Sequence, residues 1–327
     1  MAIETVLTGA FGLDYPVVSA PMAGVSGGRL AAAVSNAGGL GLVGGGYGEA
    51  GWLQKEMAIA RAEAERPWGV GLITWRAEPE IVDLAPGYGP SAFMLSFGDP
   101  RPYARAIKAA GCALICQVQD VEGARMAVSA GADFVVAQGT EAGGHGSDAR
   151  STLPLVPALA DAVSPTPVLA AGGIADGRGQ AASLMLGAQG ALMGTRFYAA
   201  TESLAHPRAK ERLVAAAGGN TRRTRVFDVM RDHRWPEAYT GRALANPFLE
   251  RWDNQVEELL SVQNTEASAF QAATERGDFD TAMVWAGEGV DLITDVGPAA
   301  ELLMRVGTEA EARLRLAGNL LGGAPTG

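Results

Sequence analysis

The chain has 327 residues, 48 % of them hydrophobic, and a formal net charge of −10 with no run of Lys or Arg. That balance argues against binding to a nucleic acid backbone or an anionic membrane, and no apolar run is long enough to span a bilayer. A single domain with an insertion accounts for the length.

In chain order, short apolar runs at 16–20, 39–43, 68–73, 92–97, 113–118 and 134–137 read as six strands. Continuous apolar runs, instead of strict alternation, are what strands covered on both faces show. Segments with helical periodicity separate them: 30–36, 52–66, 102–110 and 121–130, then 155–163 beyond the sixth strand. The link 79–89 is too short and proline-broken for more than a turn or two of helix. Cys112 and Cys116 are read as two buried thiols in the fifth strand, too far apart to bridge. The reducing compartment this implies, and an opening without a charged segment leading into an apolar one, fit a cytoplasmic protein.

Two further strands follow. Pro167-Val-Leu-Ala-Ala-Gly-Gly-Ile174 and Gly190-Ala-Leu-Met-Gly-Thr-Arg196 each run into a glycine-bearing turn, and Asp176 opens a helix over 179–186 between them. Bare N–H groups at consecutive strand ends form a cradle for a phosphate, which in a (β/α)8 barrel sits after the seventh and eighth strands. The 44 glycines, about twice the usual share, cluster at such ends. The expected fold is therefore α/β, a (β/α)8 TIM barrel; an open doubly wound sheet is the competing architecture. From 218 to 295 the pattern turns helical, with Trp235, Trp252 and Trp285 and no strand alternation. An amphipathic helix over 298–321, including Leu320 and Leu321, then closes the chain. The expected organisation is a barrel, 1–217 plus 296–327, with a helical cap, 218–295, inserted after the eighth strand.

His145 lies on the glycine-flanked loop Gln138-Gly-Thr-Glu-Ala-Gly-Gly-His145 after the sixth strand, where an imidazole can move protons. Local pairing with Glu141 or Asp148 is the alternative. The Ala20-Pro21-Met22-Ala23-Gly24 turn and Gly71 belong to the same rim. Gln117 and Gln138 end strands and suit the ring edge of a heteroaromatic ligand, or else bind loop backbone. Arg196 is placed to neutralise a phosphate or to pair with Glu202. His206 reads as a surface or helix-start residue, His233 as part of a polar turn, and Trp235 as core of the cap rather than a substrate wall. No metal site is expected. The loop 139–147 lacks the cysteine that purine-nucleotide-oxidising barrels use, which removes covalent thioimidate chemistry.

Pro21-Met-Ala-Gly24, Gln138-Gly-Thr-Glu-Ala-Gly-Gly-His145, Ala170-Ala-Gly-Gly-Ile174 and Met193-Gly-Thr-Arg-Phe197 together resemble the nitronate monooxygenase (2-nitropropane dioxygenase) family of FMN barrels. The similarity continues into Thr224-Arg-Val-Phe-Asp228, Gly241-Arg-Ala-Leu-Ala-Asn246 and Val284-Trp-Ala-Gly-Glu-Gly289. The resemblance implies FMN with its phosphate on Gly173, Gly194 and Thr195, its rings near Ala20, Met22, Gln138 and Gly143, and His145 as the catalytic histidine. It implies oxidation of alkyl nitronates or nitroalkanes by O2 to a carbonyl compound and nitrite. The alternative is an NAD(P)H-dependent reductase of enoyl-thioester or quinone type on the same scaffold. The expected partners are a small-molecule substrate and O2, with NAD(P)H under the alternative and a homodimer left open. Two departures stand out: Gly71 where many members carry Asn, and Gly146-Ser147 where an Arg-Gly pair is frequent.

Overall fold

The computed structural model describes residues 3–318. Strands are numbered in chain order. β1 (Val17–Ser19), β2 (Leu40–Gly44), β3 (Trp68–Ile73), β4 (Ala92–Ser96), β5 (Ala113–Val118), β6 (Phe134–Gln138), β8 (Val168–Ala171) and β9 (Ala191–Met193) form a closed parallel barrel. β7 (Gly144–Gly146) belongs to another sheet. Closure is made by β9 on β1, with Val17 opposite Ala191, Val18 opposite Leu192 and Ser19 opposite Met193. The eight strands coincide with the eight apolar runs.

Successive side chains alternate between interior and helix-facing sides, yet both sides are apolar, so the alternation is invisible in the sequence. Val18, Leu40, Leu42, Met94, Ile115, Val136, Leu169 and Leu192 fill the interior. Val43, Val70, Phe93, Leu95, Leu114 and Val135 pack beneath the helices. The end opposite the glycine turns is plugged by a helix, Val6–Phe11, that sequence periodicity did not suggest. Its Leu7 and Phe11 join the interior cluster, the Phe11 ring lying 5.8 Å from that of Phe134.

The outer helices Gly28–Asn36, Ala50–Glu63, Arg101–Ala109, Val121–Ser129, Thr152–Val163 and Gly177–Met185 match the expected segments to within a turn. Asp176 caps the last of these by accepting from the N–H groups of Arg178 and Gly179. The proline-broken link contains a 3-10 segment, Pro79–Gly87. The closing helix Ala299–Ala317 follows; Leu320 and Leu321 lie outside the described residues. Both cysteines are free and buried, though Cys112 precedes β5 by one residue. Burial, with the Asp133 charge adding, pushes the Cys116 thiol up to about 12, so it stays a thiol.

The excursion after β9 departs from the expected helical pattern. It holds two strands, β10 (Thr221–Thr224) and β11 (Thr240–Leu244), in an antiparallel sheet of order β10–β11–β7. Its third strand is the loop after β6: Gly146, His145 and Gly144 pair with Thr240, Gly241 and Arg242. The helix Val256–Arg276 packs over this sheet through Leu259 and Phe270, against Phe227 and Trp252. Among the described residues no helix is long and apolar enough to cross a membrane, and no cluster of His, Cys, Asp or Glu is arranged to hold a metal.

Tight strand–helix contact leaves no room for side chains at some strand positions. A Cβ on Gly41 of β2 would lie 1.9 Å from the carbonyl oxygen of Ala31. Gly41→Ala is expected to cost about 1–3 kcal/mol through forced separation of that helix. A melting temperature equal to that of the parent protein would refute the contact.

Candidate active site

The carboxyl ends of the strands surround one cavity, and ten of the residues singled out from the sequence line it. These are Ala20, Met22, Gly71, Gln117, Gln138, Gly143, His145, Gly173, Gly194 and Thr195. Cavity and mouth together enclose about 1240 Å³ not filled by protein.

One wall is bare backbone. Gly172 and Gly173 carry φ of 111° and 69°, a left-handed conformation that side chains resist. The N–H groups of Gly173, Gly194 and Thr195 donate to no acceptor among the described residues. The Thr195 hydroxyl accepts from the Gly287 N–H at 3.0 Å, which leaves its own proton to donate. Such a group of unpaired donors is suited to an anionic oxygen cluster. Arg196 follows it directly in the chain and does not pair with Glu202. Its partner is Asp295, at 3.1 Å, while Glu202 accepts from the Ala299 N–H and so secures the start of the closing helix.

The two glutamines differ. Gln138 donates from Nε2 to the His145 carbonyl at 2.9 Å and accepts from Gln119, so its amide braces the loop. Gln117 is 8 % exposed and its side chain makes no hydrogen bond among the described residues. Its amide opens onto the cavity, where a ligand can bond it. Gly71 and Gly143 are set by close backbone approach. A Cβ on Gly71 would stand 2.1 Å from Pro21 Cγ, so Pro21 fills the space of the expected Asn side chain. A Cβ on Gly143 would stand 2.6 Å from the backbone of Ala286 and Gly287. At Gly146, the other departure, the neighbouring space is held by the Arg223 guanidinium, whose Nη1 donates to the Gly146 carbonyl at 3.1 Å.

The opposite wall carries the titratable groups. His145 pairs with neither Glu141 nor Asp148. Its Nε2 lies 2.9 Å from both carboxylate oxygens of Asp228, and both side chains are almost fully buried. Asp228 stands on the short helix Val226–Met230 that follows β10. A carboxylate accepts only, so Nε2 carries the proton and Nδ1 holds the lone pair. Burial, the larger cause, lowers the His145 pKa; the Asp228 hydrogen bond and charge oppose it, and Arg231 and Arg223 add to the lowering. The ring is therefore neutral at neutral pH.

Trp235 is not core of the cap: it lines the cavity, and its ring stacks on the imidazole at 3.6 Å between centroids and 6° between planes. Trp285 stands 5.2 Å from the same imidazole. Trp235 Nε1 donates to the Tyr47 hydroxyl at 3.1 Å. His233, in its polar turn, faces Arg76 at 3.2 Å. His206 accepts from the Arg208 N–H at the start of the helix Pro207–Val214. Asp228, Tyr47, Phe97 and Arg231 were not picked out in the sequence. Asp228 alone had a signal there, standing in the segment Thr224-Arg-Val-Phe-Asp228.

A buried, neutral, carboxylate-oriented imidazole on the same cavity as a group of unpaired N–H donors is chemically able to move a proton beside an anionic ligand. The nitronate monooxygenase family model matches residues 4–85 and 79–309. The chain belongs to the nitronate monooxygenase family. A nitronate monooxygenase of Neurospora crassa is 34 % identical, covering 91 % of this chain and 90 % of its own. Among solved structures, FabK from Thermotoga maritima is similar with a TM-score of 0.83 and 31 % identity over 98 % of this chain and 99 % of that one. The nitroalkane oxidase from Streptomyces ansochromogenes is similar with a TM-score of 0.82 and 30 % identity, covering 95 % and 99 %. This nitronate monooxygenase family member is thus an oxidoreductase of a flavin-dependent family.

The lowered pKa has a definite sign. A histidine that binds its proton less tightly when folded contributes stability fully above about pH 6.5, and that contribution is lost as pH falls through the folded value. NMR titration of His145 is expected to give a midpoint below 6.5. Asp228→Asn removes the groups that favour the imidazolium, so the midpoint is expected to fall further. A rise on that substitution would refute the arrangement.

Proposed function

We propose that this chain uses FMN and O2 to oxidise alkyl nitronates, and the nitroalkanes they derive from, to a carbonyl compound and nitrite. The observation that carries this reading is the Asp228-oriented neutral His145 on the same cavity as the unpaired N–H groups of Gly173, Gly194 and Thr195. Those N–H groups and the Thr195 hydroxyl would hold the FMN phosphate. Ala20, Met22, Gly71 and Gly143 would border its rings, and the unpartnered Gln117 amide would bond the ring edge. Gln138 is assigned to bracing the His145 loop beside them. When bound, FMN supplies the electron transfer from nitronate to O2.

The chain's own groups supply the proton chemistry and the orientation. Nδ1 of His145 takes the α-proton of a neutral nitroalkane, and Asp228 steadies the resulting imidazolium through Nε2. A nitronate that arrives preformed needs no proton transfer. Arg231, which lines the cavity, offsets its negative charge. Trp235 and Trp285 border the imidazole and keep bulk water from it. In this reading the barrel, 1–217 with 296–327, carries the cofactor, and 218–295 carries the wall that faces substrate.

Anaerobic addition of ethyl nitronate to the FMN-loaded protein is expected to bleach the flavin, and NADH or NADPH is not. Bleaching by NAD(P)H alone would reassign the chain as a reductase, and failure to take up FMN would refute the cofactor.

His145→Asn is expected to keep FMN and lower kcat/KM for neutral nitroethane by about 10²–10⁴-fold, with little loss on the preformed nitronate. In the parent protein, the acid limb of kcat/KM for nitroethane is expected below pH 6.5, as the lowered His145 pKa requires. Unchanged nitroethane turnover in the variant would remove His145 from the mechanism.

A further inference from the structure

The cavity mouth is built from rings in a way that proton transfer does not require. Phe97, directly after β4, has φ of 67°, a backbone conformation that bulky residues avoid. Strain of this kind persists only where the surroundings impose it, and it concentrates at functional sites. Here it accompanies an aromatic box. The Phe97 ring stands edge-on to Trp235 at 5.1 Å and 79°, and edge-on to Tyr239 at 5.2 Å and 70°. Tyr47 closes another side of Trp235 at 6.1 Å and 68°. Phe97, Tyr47 and Trp235 all line the cavity.

A cation accompanies the rings. Arg231 lines the same cavity and has no ion-pair partner among the described residues. A guanidinium on the same cavity as these rings suits a ligand with a flat apolar body and an anionic head. A short alkyl group would leave most of this ring surface against water.

We propose that the mouth is a subsite for a planar aromatic group, so that the preferred substrates are nitronates of arylalkyl nitro compounds, with Phe97 determining the preference. The proposal rests on the nitronate reading and narrows its substrate class. The aromatic group packs against Phe97 and Trp235 while Arg231 faces the anion.

Two measurements on the FMN-loaded protein test it: kcat/KM for the nitronates of phenylnitromethane and nitroethane, and calorimetric binding of benzoate and acetate as inert anions. Wild type is expected to favour the phenyl member of each pair by about tenfold or more. Phe97→Leu and Phe97→Ala are expected to bring both ratios close to one, and Phe97→Tyr to retain them. Wild-type ratios at or below one would overturn the subsite without any variant having to fold. Ratios unchanged in both Phe97→Leu and Phe97→Ala would overturn the role of Phe97. Oxidation of neither nitronate, with a Phe97-dependent preference for benzoate intact, would fell the nitronate reading and support the subsite.

Discussion

The hydrogen bond between His145 and Asp228 joins two parts of the chain that local sequence does not connect. One partner follows a barrel strand and the other sits in the excursion after β9, 83 residues later. Burying an aspartate carboxylate without a donor costs several kcal/mol, so the geometry that pairs it is strongly selected in folding. That geometry is supplied by the β7–β11 ladder, which holds the His145 backbone opposite Gly241, and by the helix Val226–Met230, which follows β10 of the same sheet. The imidazole is therefore fixed at two levels, backbone and side chain. In the proposed role of base, a side chain held this way would need little reorganisation on accepting a proton.

The same contacts tie the excursion to the glycine turns. The Glu288 N–H donates to the Glu141 carbonyl at 2.9 Å, and the Gly287 N–H donates to Thr195 at 3.0 Å. A Cβ on Gly289 would meet the Gly173 carbonyl at 2.5 Å. The segment 286–289 thus touches both the His145 loop and the turns proposed for the phosphate. Small residues are required along it because two backbones approach within van der Waals distance. The repeated glycines of Val284-Trp-Ala-Gly-Glu-Gly289 have this packing cause, separate from any direct ligand contact.

The barrel was legible because each of its strands is buried on both faces and short, and each helix between them carries its own periodicity and often its own cap. The glycine turns and His145 were legible because they lie on consecutive strand ends, a place fixed by counting. The small sheet was not. Thr221-Arg-Arg-Thr224 is polar, Gly144-His-Gly146 looks like a loop, and their pairing is specified only by partners tens of residues away. Trp235 was misjudged for a related reason: its local setting, Arg231-Asp-His-Arg-Trp-Pro236, describes a polar turn and contains no trace of the imidazole it stacks on. Arg196 found its partner 99 residues downstream, where no spacing rule reaches. Long-range polar pairing is the part of a fold that short-range pattern does not encode.

Net charge says nothing about the groups around the cavity. Against a formal charge of −10 overall, Arg231 and Arg223 both act on His145 beside Asp228. Arg223 is half-buried and donates to the carbonyls of Gly146, Thr240 and Thr140, without an ion pair among the described residues. Burial, with Arg242 adding, pushes its pKa down to about 10, still well above neutrality, so it remains charged. Arg242 is held partly by Glu288, and Arg231 and Arg223 both bear on the imidazole. Carbonyl dipoles satisfy a guanidinium's donors without cancelling its charge. Burial is the larger cause that keeps His145 neutral, and Arg231 and Arg223 add to it against the hydrogen bond and charge of Asp228. Under the proposed nitronate reading, the neutral imidazole would serve as the base and Arg231, on the same cavity, as the anion site.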